Sequence, residues 1–247
     1  MMRIGIIGGS GVYDVDELKN ISENNLITPF GIFEYIMGEY EDKEVVFVTR
    51  HGKGHTLPPH MISYKKIIWG MKELGVEKII ATSASGSLNL NMKPGDFVII
   101  DQFIDFTDSR EITFFDTPGN VVHTDMTEPY CEYLRTLIKE VMTSLNLSFH
   151  EKGTYVTMNG PRYETKAEIN MLKILGGDIV GMTGTPEVIL ANEMKICYAS
   201  IGIVTNFAAG ISDKKISHEE VIEMMDKKIP ILKKVIFEVI KKIDINK

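Results

Sequence analysis

Ile4-Gly5-Ile6-Ile7 running into Gly8-Gly9-Ser10-Gly11 is the stretch on which the fold turns. A short apolar run without helical spacing reads as a buried strand, and the glycines after it end it in a tight turn of bare backbone amides. In α/β sheets ligands bind where such strands end, because amides and helix N-termini converge there on anions. The same turn serves equally well as a plain strand-to-helix connection. Its spacing excludes two familiar readings. A GxGxxG dinucleotide fingerprint needs a third glycine where Asp14 stands, and a Walker loop needs Gly-Lys followed by Ser or Thr, which does not follow.

Outward from this stretch the pattern repeats. Residues 45–49, 78–83, 97–101, 154–158, 179–182 and 196–206 read as further strands, and helical periodicity marks 63–74, 128–145 and 217 to the C-terminus. The last helix opens on Ser217-His218-Glu219-Glu220, a capping box able to satisfy two amides, and carries Val221, Met225, Leu232, Ile236, Val239 and Ile243 on one face. Pro230 removes a backbone bond and is expected to kink it. This alternation predicts an α/β fold. No repeat, low-complexity tract or composition shift divides the chain, so residues 1–247 are expected to form a single domain.

Composition narrows the function. The net charge of -7 argues against a sequence-independent nucleic-acid binder, which needs clustered cations, and favours a small polar ligand. Apolar runs fall short of the roughly 20 residues that cross a bilayer, and the opening Met1-Met2-Arg3-Ile4-Gly5 is too short an apolar stretch for a signal peptide. A cytoplasmic location is expected. Cys131 and Cys197 lack metal-ligand spacing and lie in apolar-periodic stretches, so buried free thiols are expected, with a reducing compartment opposing a disulfide.

Two more strand ends carry anion-friendly groups. The strand over 45–49 ends in Arg50-His51-Gly52-Lys53-Gly54-His55, which places polar groups at a strand end, and an Arg there can fork two hydrogen bonds to a phosphate. The strand over 78–83 opens into Ser83-Ala84-Ser85-Gly86-Ser87, read as a small-residue turn whose amides and hydroxyls close over the same oxyanion.

Eight motifs in order, GGSG (8–11), RHG (50–52), TSASGSL (82–88), KPGDFVIIDQFID (93–105), HTDMTEPYC (123–131), GPRYET (160–165), GMTGTPEVILA (181–191) and SIGIVTN (200–206), resemble the trimeric purine nucleoside phosphorylase and methylthioadenosine phosphorylase family across nearly the whole chain. The resemblance implies a mixed central β-sheet flanked by helices and a homotrimer, possible as a dimer of trimers, with active sites near subunit interfaces. It implies inorganic phosphate as co-substrate, with neither metal nor other cofactor, and a purine nucleoside as the small-molecule partner; neither nucleic acid nor membrane is expected. Ser10, Arg50, His51, Ser83, Ala84 and Thr183 are then the phosphate-holding residues, Met182 packs against the ribose, and His123 covers the sugar of a neighbouring subunit. Asn206 and His51 are the candidate catalytic residues, Asn206 stabilising the departing purine at N7 and the six-position.

Adenine presents a donor at its 6-amino group and an acceptor at N1, whereas hypoxanthine and guanine present the reverse. Adenine-directed relatives carry Asp where this chain has Asn206 and Ala208, and a small hydroxyl residue where it has Glu164, after Tyr163. An amide both donates and accepts while an ionised carboxylate only accepts, so Tyr163, Glu164, Asn206 and Ala208 imply a 6-oxopurine site. His218 resembles the residue that meets the 5′ substituent. From the first turn of a helix it can bond a hydroxyl or pack against a thioether. S-methyl-5′-thioinosine is the favoured substrate, with general inosine or guanosine phosphorolysis as the alternative. A nucleoside hydrolase would leave Arg50 and three anion-binding turns unexplained, an oxidoreductase fails on glycine spacing, and a silent nucleoside-binding protein would release no base.

Overall fold

Strands buried on both faces need apolar residues at every position, and β1 (Arg3–Gly8) has them: Ile4 and Ile6 point into one core and Ile7 into another. The computed structural model describes residues 2–12, 15–213 and 216–244; Asp14 and the last three positions of the C-terminal helical segment lie outside them. In chain order β1 is followed by β2 (Lys19–Thr28), β3 (Gly31–Tyr40), β4 (Lys43–Thr49), α1 (Tyr64–Glu73), β5 (Val76–Ser87), β6 (Phe97–Ile99), β7 (Gln102–Phe106) and α2 (Glu132–Ser144). Then come β8 (Phe149–His150), β9 (Thr154–Met158), α3 (Lys166–Ile174), β10 (Ile179–Gly181), α4 (Gly184–Glu193), β11 (Cys197–Phe207) and α5 (His218–Lys242).

The strands form one mixed sheet in the order β2-β3-β4-β1-β5-β10-β9-β7, with β11 on the other edge of β5 and β6 and β8 beyond it. Helices α2 and α5 cover one face, burying Leu134, Ile138, Leu232 and Ile236 against Ile4, Val45 and Ile201. Helices α1 and α4 cover the other, burying Ile68, Met71, Val188 and Leu190 against Val46, Ile79 and Tyr198. The α/β expectation holds. Among the described residues no helix is long and apolar enough to cross a membrane.

Several local expectations need revision. Residues 83–87 are strand, not turn: β5 stays paired with β11 through Phe207↔Ser87, so the small residues lie on a ladder. Ser217 Oγ accepts from Glu220 N at 3.2 Å, the cap half of the expected box, while the box with both halves made is at Thr165–Glu168 on α3. Helix α5 continues through Pro230 as one element.

The cysteines are not free. Cys131 and Cys197 form a disulfide, their Cα atoms 5.2 Å apart. Cys131 caps α2 and its amide donates to Tyr198 O at 2.9 Å, which brings the helix start against the start of β11. A compartment argument carries no information about that geometry. The bond closes a loop of 66 residues, worth about 4 kcal/mol of chain entropy. Replacing both cysteines with serine should lower Tm by roughly 10 °C in a scanning calorimeter without altering either substrate's KM; an unchanged Tm would contradict it.

Candidate active site

The topology leaves a gap at the middle of the sheet. Strand β1 pairs with β5 only as far as Ile7↔Ala81, and β10 joins the same edge of β5 only at Val180↔Gly86. Between them residues 82–85 have no strand partner on that edge, and a cavity of about 490 Å³ opens there. This is the kind of break in strand order at which α/β sheets bind ligands. Every candidate site residue named from the sequence except His123 lines it: Ser10, Arg50, His51, Ser83, Ala84, Tyr163, Glu164, Met182, Thr183, Asn206, Ala208 and His218. His123 is exposed on the irregular segment between β7 and α2, outside the cavity of its own chain.

At one end of the cavity stands Arg50, one residue past β4 and only 2% exposed. A buried guanidinium needs a counter-charge, and Glu187 of α4 supplies it, accepting from Nε and, at 2.9 Å, from Nη2; Nη1 donates to Thr82 O at 2.8 Å. Tyr198 donates to the same carboxylate at 2.8 Å. Burial opposes the charge on Arg50, but Glu187 outweighs it and holds the group protonated. One N–H on each of Nη1 and Nη2 remains unused, enough for a second fork. Gly9 must be glycine: a Cβ there would lie 2.7 Å from Thr82 O and 2.8 Å from Arg50 Nη1, and its amide donates to Thr82 Oγ1 at 2.9 Å.

His51 lies beside Arg50. Its Nδ1 is 2.8 Å from Leu57 O, which only accepts, so Nδ1 carries the proton and Nε2 is the acceptor. Burial, with the Arg50 charge, pushes its pKa down to about 4 against the Leu57 bond, leaving the ring neutral. The His55 ring stacks on it with centroids 4.1 Å apart. Ser83 Oγ donates to Tyr155 OH at 3.1 Å, and the amide of Thr183, at the N-cap of α4, reaches the same oxygen at 3.4 Å. One tyrosine thus ties β5 to the start of α4.

Arg50 meets β5 at Thr82, Asn206 pairs with it at Gly86, and Glu164 lines the same cavity. Asn206 Oδ1 accepts from Thr205 Oγ1 at 2.8 Å and Nδ2 donates to Phe207 O at 2.9 Å, which fixes the amide's orientation and leaves one lone pair and one N–H. Glu164 is buried, and desolvation raises its pKa above the ordinary carboxylate range. His218, the first residue of α5, shares the rim with Ile216 and Val221.

Sequence reasoning missed Glu187, Tyr155, Thr82 and His55. Glu187 left a signal: an acid inside the apolar run PEVILA requires a buried cation, and Arg50 at a strand end was available. His55 lies in the polar run that ends β4, but no role was assigned to it; Tyr155 left no signal. Among the described residues no cluster of three or more His, Cys, Asp or Glu side chains is arranged to hold a metal ion.

The chain matches the family model described as "Phosphorylase superfamily" over residues 3–241. It is 55% identical over 234 residues to a probable 6-oxopurine nucleoside phosphorylase of Thermococcus kodakarensis, covering 92% of this chain and 88% of that one. It is 48% identical over 227 residues to a probable S-methyl-5′-thioinosine phosphorylase of Methanothermobacter thermautotrophicus, covering 91% and 79%. Its fold superposes with a TM-score of 0.93 on methylthioadenosine phosphorylase from Schistosoma mansoni solved with adenine, at 35% identity, over 98% of this chain and 91% of that one. A cavity at the break in strand order, an arginine with a spare fork and these matches agree: the chain belongs to the phosphorylase superfamily.

Proposed function

We propose that this chain, acting as one catalytic domain, carries out the reversible phosphorolysis of 6-oxopurine nucleosides, releasing hypoxanthine or guanine and a pentose 1-phosphate. S-methyl-5′-thioinosine is the favoured substrate, giving hypoxanthine and 5-methylthioribose 1-phosphate. The observation that carries the reading is a single cavity lined by a cationic fork and by an amide plus a carboxylate. Relatives named for 6-oxopurine nucleosides and for methylthioinosine support it.

Phosphate held by the spare N–H groups of Arg50, with Ser10, Ser83, Ala84 and Thr183, puts an oxygen beside the anomeric carbon and its negative charge beside the developing oxocarbenium ion. Neutral His51 offers Nε2 to a phosphate hydroxyl. As the bond from the anomeric carbon to N9 breaks, its electron pair enters the purine, where Asn206 donates to N7 or O6 and Glu164 accepts the N1 proton's hydrogen bond. The phosphate oxygen forms the new bond to carbon, and the hydroxyl proton that the phosphate gives up is balanced by one taken from solvent at a ring nitrogen of the purine anion, so the balance needs no further reactant. Met182 packs under the sugar, and Tyr163 and Ala208 complete the base pocket. His218, with Val221 and Ile216 around it, suits a 5′ thioether and still bonds a 5′ hydroxyl, so inosine and guanosine are secondary substrates. We further propose a cytoplasmic homotrimer in which His123 reaches a neighbouring sugar.

A substrate panel tests this. Turnover should require added phosphate, and inosine and methylthioinosine should exceed methylthioadenosine in kcat/KM by about 10²-fold or more, since a buried group left unsatisfied costs up to about 3 kcal/mol. Turnover in phosphate-free buffer, or a preference for the adenine compound, defeats the proposal.

Acidity provides an internal check. Because burial raises the Glu164 pKa, protonation replaces its charged acceptor with a weaker neutral carboxyl at a pH above the usual carboxylate value of about 4.3. Nucleoside KM should therefore climb on the acid side earlier than an exposed carboxylate would cause. In Glu164→Gln that rise should vanish, and a KM profile identical to the parent's would remove Glu164 from the base site.

A further inference from the structure

Strands β9 and β10 run parallel with Tyr155↔Ile179 and Thr157↔Gly181 in register, and there the ladder stops. Beyond that point they part. One branch continues into Met182 and Thr183 on the sugar and phosphate side of the cavity, and the other into Asn159 and the loop that carries Tyr163 and Glu164. Arg110, on the segment after β7, sits in the fork. Its Nη1 donates to Met182 O at 2.6 Å and its Nη2 to Asn159 O at 2.9 Å. Nη1 also lies 3.3 Å from Tyr64 OH, and the guanidinium stacks over the Tyr64 ring at 5.5 Å. Its Nε is buried with no hydrogen-bond partner among the described residues. Asp108 N adds a bond to Asn159 Oδ1 at 3.0 Å.

A splayed pair of strands leaves carbonyls that would otherwise need water, and such an opening varies in width unless something spans it. Arg110 spans it with a rigid planar group, which fixes a distance where a flexible ammonium would not. It is not among the residues lining the cavity. We propose that Arg110 is a positioning residue for nucleoside binding, standing in for the missing ladder rung and setting the spacing between the sugar shelf at Met182 and the base loop that ends in Glu164. This rests on the phosphorolytic reading above, since only a substrate that bridges sugar and base feels that spacing.

The consequence is selective. Phosphate is held by Arg50, Ser83 and Thr183, which are anchored by Glu187 and Tyr155 rather than by Arg110. In Arg110→Ala the nucleoside KM should rise about 10²-fold, the order of loss expected for a displacement near 1 Å, while phosphate KM stays within about two-fold. Arg110→Lys, which keeps the charge and reaches one carbonyl, should fall between Arg110→Ala and the parent; if Arg110→Ala does not fold, Arg110→Lys decides alone. A parallel rise in both KM values, or an unchanged nucleoside KM, overturns the proposal. Calorimetric binding of methylthioinosine against hypoxanthine alone separates the two readings. If the parent turns over without phosphate, the phosphorolytic reading falls, yet Arg110→Lys must still weaken the nucleoside more than the free base or the fork proposal falls too.

Discussion

Substituting lysine for Arg50 should lower kcat/KM for phosphate about 10³-fold, the loss of two charge-assisted hydrogen bonds, while nucleoside KM changes little. Lysine keeps the positive charge but not the planar fork. In the parent, Nε and Nη2 serve Glu187, Nη1 serves Thr82 O, and the two spare N–H groups are available to the anion. An ammonium has three hydrogens for all of these partners and cannot sit in both planes. The same argument predicts how stability and activity separate. Arg50→Met strands the Glu187 carboxylate in the core and should cost about 3–5 kcal/mol. The double variant Arg50→Met with Glu187→Leu removes both charges and should recover most of that stability, as apolar replacement of a buried pair often does. It should recover no phosphorolysis. Denaturant unfolding and phosphate kinetics on the three variants check this, and a double variant that regains activity would show that Arg50 is structural only.

The parts of the fold that were legible are those where burial imposes a period. Strands β1, β4, β5 and β11 lie under helices on both faces, so their apolar runs could be read directly. The hairpin of β2 and β3 gave no such run because β2 is almost wholly exposed, with Lys19, Asn20 and Glu23 facing solvent. Helix α4 failed for the opposite reason: from Gly184 to Ala191 it is buried nearly all round and has no polar face to define a stripe. Ser83 to Ser87 looked like a turn because Ser and Gly favour turns, and only the long ladder with β11 holds them extended. At the site, most of the residues singled out through motifs meet the cavity directly, with His55 a lining residue that was passed over. Of the residues behind them, Glu187 showed only as an acid in an apolar run, while Tyr155 and Arg110 reach Ser83 and Met182, each 72 positions away in sequence, and have no local signature.

Asn206→Asp should reduce kcat/KM for inosine and methylthioinosine about 10³-fold, the cost of two buried hydrogen bonds turned into acceptor–acceptor contacts at about 1–3 kcal/mol each. Asn206 Nδ2 supplies the donor to Phe207 O at 2.9 Å and has one N–H left for the purine. An ionised aspartate supplies neither. It would set a carboxylate oxygen against the Phe207 carbonyl and a second acceptor against purine O6, and neither clash is relieved by Thr205, whose hydroxyl already donates to Oδ1 at 2.8 Å. Adenine, with a donor at its six-position, suffers less from the new acceptor. Glu164 still faces its bare N1, however, so the substitution alone should narrow the preference and not produce an efficient adenine enzyme. Adding Glu164→Ser and Ala208→Asp removes that second mismatch and should carry preference past parity toward methylthioadenosine. Phosphate KM should stay near the parent value throughout, because none of these side chains bonds Arg50 or the groups that anchor it. If Asn206→Asp processes inosine as well as the parent does, the amide does not read the base.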